Sequence, residues 1–106
     1  MAYFLGLILD SDLLTRIRKE YPAAKAIVLF GSYRKGDSAE KSDLDIAVEL
    51  PGQKEQRIME FGALKELGYR QHVPVNLHLF SRSAVTKTLF ANIANGIVLE
   101  GFLEVE

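Results

Sequence analysis

The sequence predicts an α+β fold, a small mixed β-sheet flanked by helices, and three observations lead to it. Residues 26–30 form a continuous apolar run of strand length, typical of a strand that is covered on both faces. Between residues 44 and 50, every second residue is apolar, as in a strand with one buried face. Several other segments place their apolar residues at helical spacing. Helices packed against one sheet are the arrangement that this pattern favours.

The first helix is predicted to begin at one of the polar residues 10–12 and to run to residue 20. Tyr21-Pro22 ends it, because the residue before a proline is disfavoured in the α region. The apolar residues 2–9 either extend this helix or form a surface arm, and the sequence leaves both open.

The first two strands are predicted to be antiparallel. Gly31-Ser32 follows the first strand, and ten residues separate this pair from Asp43, where the second strand begins. Residues 32–36 predict a short helix, and the polar stretch after them leaves no room for a long crossover. A short connection of this kind joins neighbouring antiparallel strands.

The second half of the chain predicts a helix, a strand and another helix. Residues 54–67 predict a helix that ends at Gly68, since apolar residues fall at helical spacing. Residues 73–80 alternate and predict a third strand, which a helical crossover would place parallel to the second. A last helix is predicted to begin at Ser81 or Ser83 and to end at Asn95-Gly96. For residues 97–105, strand and helix both stay open.

Length and composition bound the function. The 106 residues are expected to form a single domain over 1–106, too small for a polymerase with added binding domains. A net charge of −1 makes extended nucleic-acid binding unfavourable, because duplex binding depends largely on phosphate neutralisation. There is no cysteine, which excludes thiolate metal sites. Without an export signal the expected location is cytoplasmic, and the apolar residues 2–9 are too few to span a membrane.

The most informative stretch joins a Gly-Ser pair to an Asp-x-Asp. Side chains of a strand alternate between faces, so Asp43 and Asp45 lie on one face, opposite the apolar set. Paired carboxylates suit Mg²⁺, which prefers oxygen ligands and usually shares them with substrate phosphates. Gly31-Ser32 offers a turn where backbone N–H groups and a hydroxyl can approach phosphate oxygens.

This stretch resembles the signature of the DNA polymerase β-like nucleotidyltransferase superfamily, and the chain looks most like its minimal, MNT-type members. The specific part of the resemblance covers residues 30–48. It implies an enzyme that uses Mg²⁺ or Mn²⁺ to move a nucleoside monophosphate, AMP from ATP, to a hydroxyl on a partner protein or small acceptor. Many MNT-type proteins are encoded beside HEPN-domain partners, and some act as antitoxins that modify the partner with AMP.

The resemblance also implies residue roles. Asp43 and Asp45 match the metal ligands, and Gly31 and Ser32 match the phosphate-binding pair. Lys35 lies where relatives often carry a basic residue, so it either contacts the triphosphate or is a solvated surface lysine.

The third strand departs from the family pattern. Relatives usually carry a third carboxylate there, which assists the attacking hydroxyl, and the matching residue in this chain is Asn76. Asparagine offers a carbonyl oxygen but no charge and no site for a proton. His78 lies on the same face and is either a base or ligand, or a half-exposed strand histidine. The catalytic set is therefore Asp43, Asp45 and Asn76.

Two functions of different classes follow from these residues. The first is a nucleotidyltransferase, which the intact Gly-Ser and Asp-x-Asp favour. The second is a catalytically weak, antitoxin-like module that neutralises a HEPN-domain partner by contact, which Asn76 favours. Nucleotide preference, the acceptor and a homo-oligomeric state stay open.

Overall fold

Five strands form one mixed sheet in the order β3-β4-β2-β1-β5 in the computed structural model. The structure describes residues 6, 8–9, 11–31, 43–67 and 70–103, with the backbone alone for 63–67 and 70–72. The elements in chain order are α1 (Leu13–Glu20), β1 (Ala26–Phe30), β2 (Leu44–Glu49), β3 (Arg57–Leu67), β4 (Arg70–Phe80), a 3₁₀ turn (Arg82–Ala84), α2 (Lys87–Ala94) and β5 (Ile97–Gly101). The predicted short helix at 32–36 lies outside the described residues.

The centre of the sheet agrees with the prediction from sequence. Strand β1 pairs with β2 in antiparallel fashion, with Phe30 opposite Asp45, and β2 pairs with β4 in parallel fashion. The mixed α+β fold is therefore confirmed. Every residue of β1 is buried, because it lies between β2 and β5 with apolar side chains packed on both faces.

The helix predicted for residues 54–67 is wrong, because this segment forms the edge strand β3. It pairs with β4 in antiparallel fashion from Arg57 opposite Leu79 to Leu67 opposite Arg70. Intrinsic helix propensity differs by less than about 1 kcal/mol per residue, so the pairing of a whole strand overrides it. After β2, the chain crosses to the edge of the sheet, where β3 runs antiparallel to β4. β4 then lies between β3 and β2 and runs parallel to β2. The parallel pairing of β2 and β4 thus arises without the predicted crossover helix.

Gly62 belongs to an irregularity in β3 and not to a helix. The register with β4 shifts between Glu60 and Ala63, and Gly62 has a φ of +85°. This left-handed conformation favours glycine and is typical of a bulge. Beside it, the Arg16 guanidinium donates a hydrogen bond to the Phe61 carbonyl (3.3 Å) and lies 5.4 Å from the Phe61 ring centre. These contacts connect the edge strand to α1.

One face of the sheet carries the larger core and is called the first face. Helix α1 buries Leu13 and Ile17 against it, as their helical spacing predicts. Ile8 is fully buried in the same core, so this part of the N-terminal segment packs and is not a surface arm. The strands contribute the alternating residues Ile27, Leu29, Leu44, Ile46, Val48, Val73, Val75, Leu77 and Leu79.

The opposite face, called the second face, is only partly covered by apolar residues. Helix α2 packs Ile93 there against Val28, Phe30, Ala47 and Phe80. This smaller core leaves room at one end of the face for the polar side chains of β2 and β4.

The last helix begins later than predicted. Thr86 and not Ser81 or Ser83 is its N-cap, and the Thr86 hydroxyl accepts a hydrogen bond from the Leu89 N–H (3.2 Å). The serines flank the 3₁₀ turn instead. The helix ends before Asn95 as predicted, and β5 shows that the open C-terminal segment contains a strand. Of the helices in the described residues, none has the length and apolar character needed to cross a membrane.

Amide hydrogen exchange tests whether residues 57–60 form a strand. At the edge of a sheet, alternate N–H groups point to the neighbouring strand or to solvent, so we expect alternating slow and fast exchange. Residues 76–79 of β4, which pair with both β2 and β3, provide the internal control and should be slow at every position. Uniform protection of residues 57–60 would instead indicate the helix that the sequence predicts.

Candidate functional site

The site lies on the second face, where the start of β2 adjoins the middle of β4. The parallel register places Asp45 opposite Asn76 and Ala47 opposite His78. Because neighbouring residues of paired strands share a face, the Asp45, Asn76 and His78 side chains lie together. Asp43 directly precedes β2 and reaches the same group.

Two side-chain contacts connect β4 to the two carboxylates. Asn76 Nδ2 donates a hydrogen bond to Asp43 Oδ2 (2.9 Å), and His78 Nε2 lies 3.1 Å from Asp45 Oδ1. Asn76 lies opposite Asp45 but contacts Asp43, and His78 lies opposite Ala47 but contacts Asp45. Each β4 side chain thus contacts the aspartate two residues before the residue that it faces. This repeated diagonal contact orients both carboxylates.

His78 is the more buried partner. Its side chain is 13% exposed, and its ring meets Phe30 edge-on with 4.7 Å between ring centres. An ionised carboxylate only accepts hydrogen bonds, so the His78 nitrogen that faces Asp45, Nε2, carries a proton. The other nitrogen, Nδ1, is buried and has no hydrogen-bond partner among the residues that the structure describes. His78 is thus arranged to donate to Asp45.

Gly31 approaches Asp45 from the side of β1. It has a φ of +82°, which disfavours any residue with a Cβ. A Cβ built at Gly31 would lie 3.1 Å from Asp45 Oδ2. Asp45 therefore has one oxygen against His78 and the other against the space that the glycine leaves open.

The structure brings together five of the residues that the sequence singled out: Gly31, Asp43, Asp45, Asn76 and His78. Ser32 and Lys35 lie outside the described residues. Asp43 is exposed and the Asp45 side chain is 33% exposed, so both carboxylates are accessible to a ligand from solvent. Among the described residues there is no group of three or more His, Asp or Glu arranged to hold a metal ion by itself.

Sequence reasoning missed two features of this site. The His78 contact with Asp45 depends on the diagonal across parallel strands, which alternation alone does not give. Glu60 lies opposite Asn76 in the β3–β4 register and therefore on the second face, but its segment was predicted as a helix. A signal was present, since only Gly68-Tyr69 separates the two runs, and two-residue Gly-x connections are typical of hairpins.

Comparison with known proteins supports the resemblance that the motif suggests. A family model described as a nucleotidyltransferase domain matches residues 11–93. This span contains α1, β1 to β4 and all the candidate site residues. No curated protein matches the chain.

Two glycine substitutions test the contact between Gly31 and Asp45. Gly31→Ala and Gly52→Ala both introduce a Cβ at positive φ (+82° and +90°), which costs about 1–2 kcal/mol of stability. Of the two, Gly31→Ala also crowds a neighbour, whereas a Cβ at Gly52 has no atom of the described residues within 4 Å. We therefore expect Gly31→Ala to lower the free energy of unfolding by more than Gly52→Ala, as measured in urea.

The Asp45→Ala background separates crowding from backbone strain. Removing the carboxylate should abolish the extra cost of Gly31→Ala and leave the cost of Gly52→Ala unchanged. Equal costs for both alanines in the native background, or an extra cost that survives in Asp45→Ala, would contradict the close approach of Gly31 to Asp45.

Proposed function

The chain belongs to the nucleotidyltransferase domain family, and we propose that it transfers a nucleoside monophosphate, AMP from ATP, to a hydroxyl group with Mg²⁺ or Mn²⁺ as cofactor. The observation that supports this most is the pair of accessible carboxylates, Asp43 and Asp45, beside the open space at Gly31. The carboxylates that would hold the cation and the glycine beside which a phosphate would bind are next to each other there. Both kinds of group are needed to bind a triphosphate together with its cation.

The donor set fits a divalent cation that is shared with the substrate. Mg²⁺ is commonly held by one or two carboxylates together with substrate phosphates, so a complete protein cage is not required. Asp43 and Asp45 would hold the cation, with the Asn76 carbonyl oxygen as a neutral third ligand, because the Asn76 amide nitrogen already donates to Asp43. When bound, the cation would offset triphosphate charge and favour attack at the α-phosphorus.

The residues at the end of β1 would bind the phosphates. Gly31 has no side chain to exclude a phosphate, and Ser32 and Lys35 would contribute a hydroxyl and a positive charge. In the reaction, the acceptor oxygen forms a bond to the α-phosphorus while the bond to the bridging α–β oxygen breaks. Pyrophosphate leaves, and the hydroxyl proton passes to a base or to water.

His78 acts in this proposal as a positioning residue. Its Nε2–H fixes Asp45, and its Nδ1 is buried, so neither nitrogen is arranged to take the proton of the hydroxyl directly. Outer-shell donors of this kind typically change metal affinity or activity by about 10–100-fold when they are removed. Asn76 cannot accept a proton either, so the enzyme is expected to be slow.

The acceptor and the setting rest on the resemblance alone. We propose a hydroxyl on a partner protein, with a HEPN-domain protein as the first candidate, or on a small molecule, and a cytoplasmic location for a single-domain protein. Asn76 favours a second function, an antitoxin-like module that binds its partner and turns over little nucleotide. The two functions predict the same partner but different rates of AMP transfer.

An assay of AMP transfer distinguishes the two functions. Native protein is incubated with ATP labelled at the α-phosphate, Mg²⁺ and the candidate partner, and both proteins are then analysed by mass. Asn76→Asp should raise transfer, because a carboxylate at this position can accept the hydroxyl proton, and general-base help is typically worth about 10²–10⁴-fold. The side chains are nearly isosteric, so the fold should be retained.

His78 variants provide the matched controls. His78→Ala should lower transfer by about 10–100-fold, and His78→Gln, which keeps an N–H donor for Asp45, should restore part of it. If His78 is the base instead, Asn76→Asp should change little and His78→Gln should be as inactive as His78→Ala. If the protein is a binding module, no variant should transfer AMP, while all should bind the partner.

A further inference from the structure

A cavity of about 410 Å³ opens beside His78, outside the set of residues proposed to hold the nucleotide phosphates. Its volume lies in the range typical of small-ligand sites. The lining residues come from the segment before β3, the start of β3, the end of β4 and helix α2: Gln56, Arg57, Ile58, His78, Leu79 and Leu89.

His78 connects this cavity to the carboxylates. The same side chain lines the cavity and places Nε2 3.1 Å from Asp45 Oδ1. The other oxygen of Asp45 faces Gly31. Asp45 therefore lies between two parts of the site. The glycine side is the part at Gly31 at the end of β1, and the cavity side is the part lined by β3 and β4.

An in-line displacement assigns different roles to the two sides. The leaving pyrophosphate and the attacking hydroxyl lie on opposite sides of the α-phosphorus. If pyrophosphate leaves toward Gly31, as the proposed function has it, the hydroxyl approaches over β4. The cavity lies on that side, because His78 and Leu79 of β4 line it.

We propose that this cavity binds the group that carries the attacking hydroxyl, and that this group is compact, neutral and mostly apolar. The proposal rests on the proposed function and adds the chemical class of the acceptor. It predicts an alcohol or phenol on a ring or branched alkyl body in preference to a free sugar or a sugar phosphate.

The lining supports this class of acceptor. Ile58 lies opposite His78 in the register, on the second face, and is 66% exposed, so an apolar ligand would cover it. Leu89 of α2 forms another aliphatic wall. The Gln56 side-chain carbonyl accepts a hydrogen bond from the Thr86 N–H (3.1 Å), which holds this side chain at the cavity, and its amide hydrogens are of the kind that can donate to a hydroxyl.

Arg57 does not turn the cavity into a phosphate site. It pairs with Leu79, whose side chain belongs to the first-face core, so the Arg57 side chain lies on that face. Its charge acts there on Tyr21, where burial and the Glu20 carboxylate raise the pKa of the phenol and Arg57 opposes them. A phosphate on the second face would therefore find no cation among the described lining residues.

Methyl NMR of the full chain tests the proposal with defined probes. The protein is saturated with Mg²⁺ and α,β-methylene-ATP, which cannot release pyrophosphate, and the Ile58 and Leu89 methyl signals are followed. Cyclohexanol and 4-methylphenol should each shift these signals saturably, and ribose should bind at least about tenfold more weakly. In a control, inorganic triphosphate with Mg²⁺ replaces the nucleotide analogue, because it supplies the phosphates without the base.

A matched pair of variants supports the assignment. Ile58→Thr keeps a β-branched side chain at an exposed position and should weaken binding of the alcohols about tenfold, with nucleotide affinity within twofold. Val98→Thr, the same change at a 44% exposed position on β5, should alter neither.

Three results would overturn the proposal. The first is that the alcohols fail to bind, and the second is that ribose binds as well as they do. The third is that the nucleotide analogue, but not inorganic triphosphate, shifts the Ile58 and Leu89 methyl signals and displaces the alcohols. The last result would make the cavity a nucleobase site. If calorimetry finds no binding of the Mg²⁺-nucleotide at all, the proposed function fails, and the cavity's role as an acceptor site fails with it.

Discussion

The pair of carboxylates at the start of β2 is the constraint on which the rest of the site depends. Strand alternation puts Asp43 and Asp45 on one face, and the apolar residues between and after them anchor β2 in the first-face core. Two like charges held this close repel each other unless donors or a cation compensate them. The structure supplies donors from β4, Asn76 to Asp43 and His78 to Asp45.

The strand arrangement brings a different kind of group to β2 from each side. Antiparallel β1 brings its end, and with it Gly31, to the start of β2, while parallel β4 brings Asn76 and His78. The second-face core under α2 packs Phe30 against the His78 ring and so supports the histidine that orients Asp45.

In the proposed function, Asn76 favours the stability of this site at the expense of catalysis. The resemblance implies an acid at this position, and three carboxylates would then have to be compensated. Here one repulsive partner is replaced by a donor that forms a hydrogen bond with Asp43. This hydrogen bond compensates Asp43 without a cation, but the Asn76 amide itself cannot take the proton of the hydroxyl in the proposed reaction. Slow transfer is the expected consequence.

The sequence predicted the parts of the structure that follow from local pattern. The buried run of β1, the alternation of β2 and the short connection between them were sufficient to place Gly31 beside Asp45. The shared face of Asp45 and Asn76 followed from the predicted parallel pairing, although the connection is an edge strand and not a helix.

The remaining features depend on contacts between distant segments. Residues 57–67 have a composition that favours a helix, and only pairing with β4 makes them a strand. Several polar residues precede α2, and the hydrogen bond that makes Thr86 its N-cap instead of Ser81 depends on the folded backbone. The cavity beside His78 requires β3, β4 and α2 together, so no linear motif indicates it.

Titration calorimetry with ATP, with and without Mg²⁺, tests the central claim that Asp43 and Asp45 hold a cation which binds the nucleotide. Native protein should bind ATP only when Mg²⁺ or Mn²⁺ is present, and the double variant Asp43→Asn with Asp45→Asn should not bind it, because amides supply no charge to hold the cation. Asn keeps nearly the same shape, so the fold should be retained, which circular dichroism would verify. Equal affinity of the native and variant proteins for ATP would contradict the account.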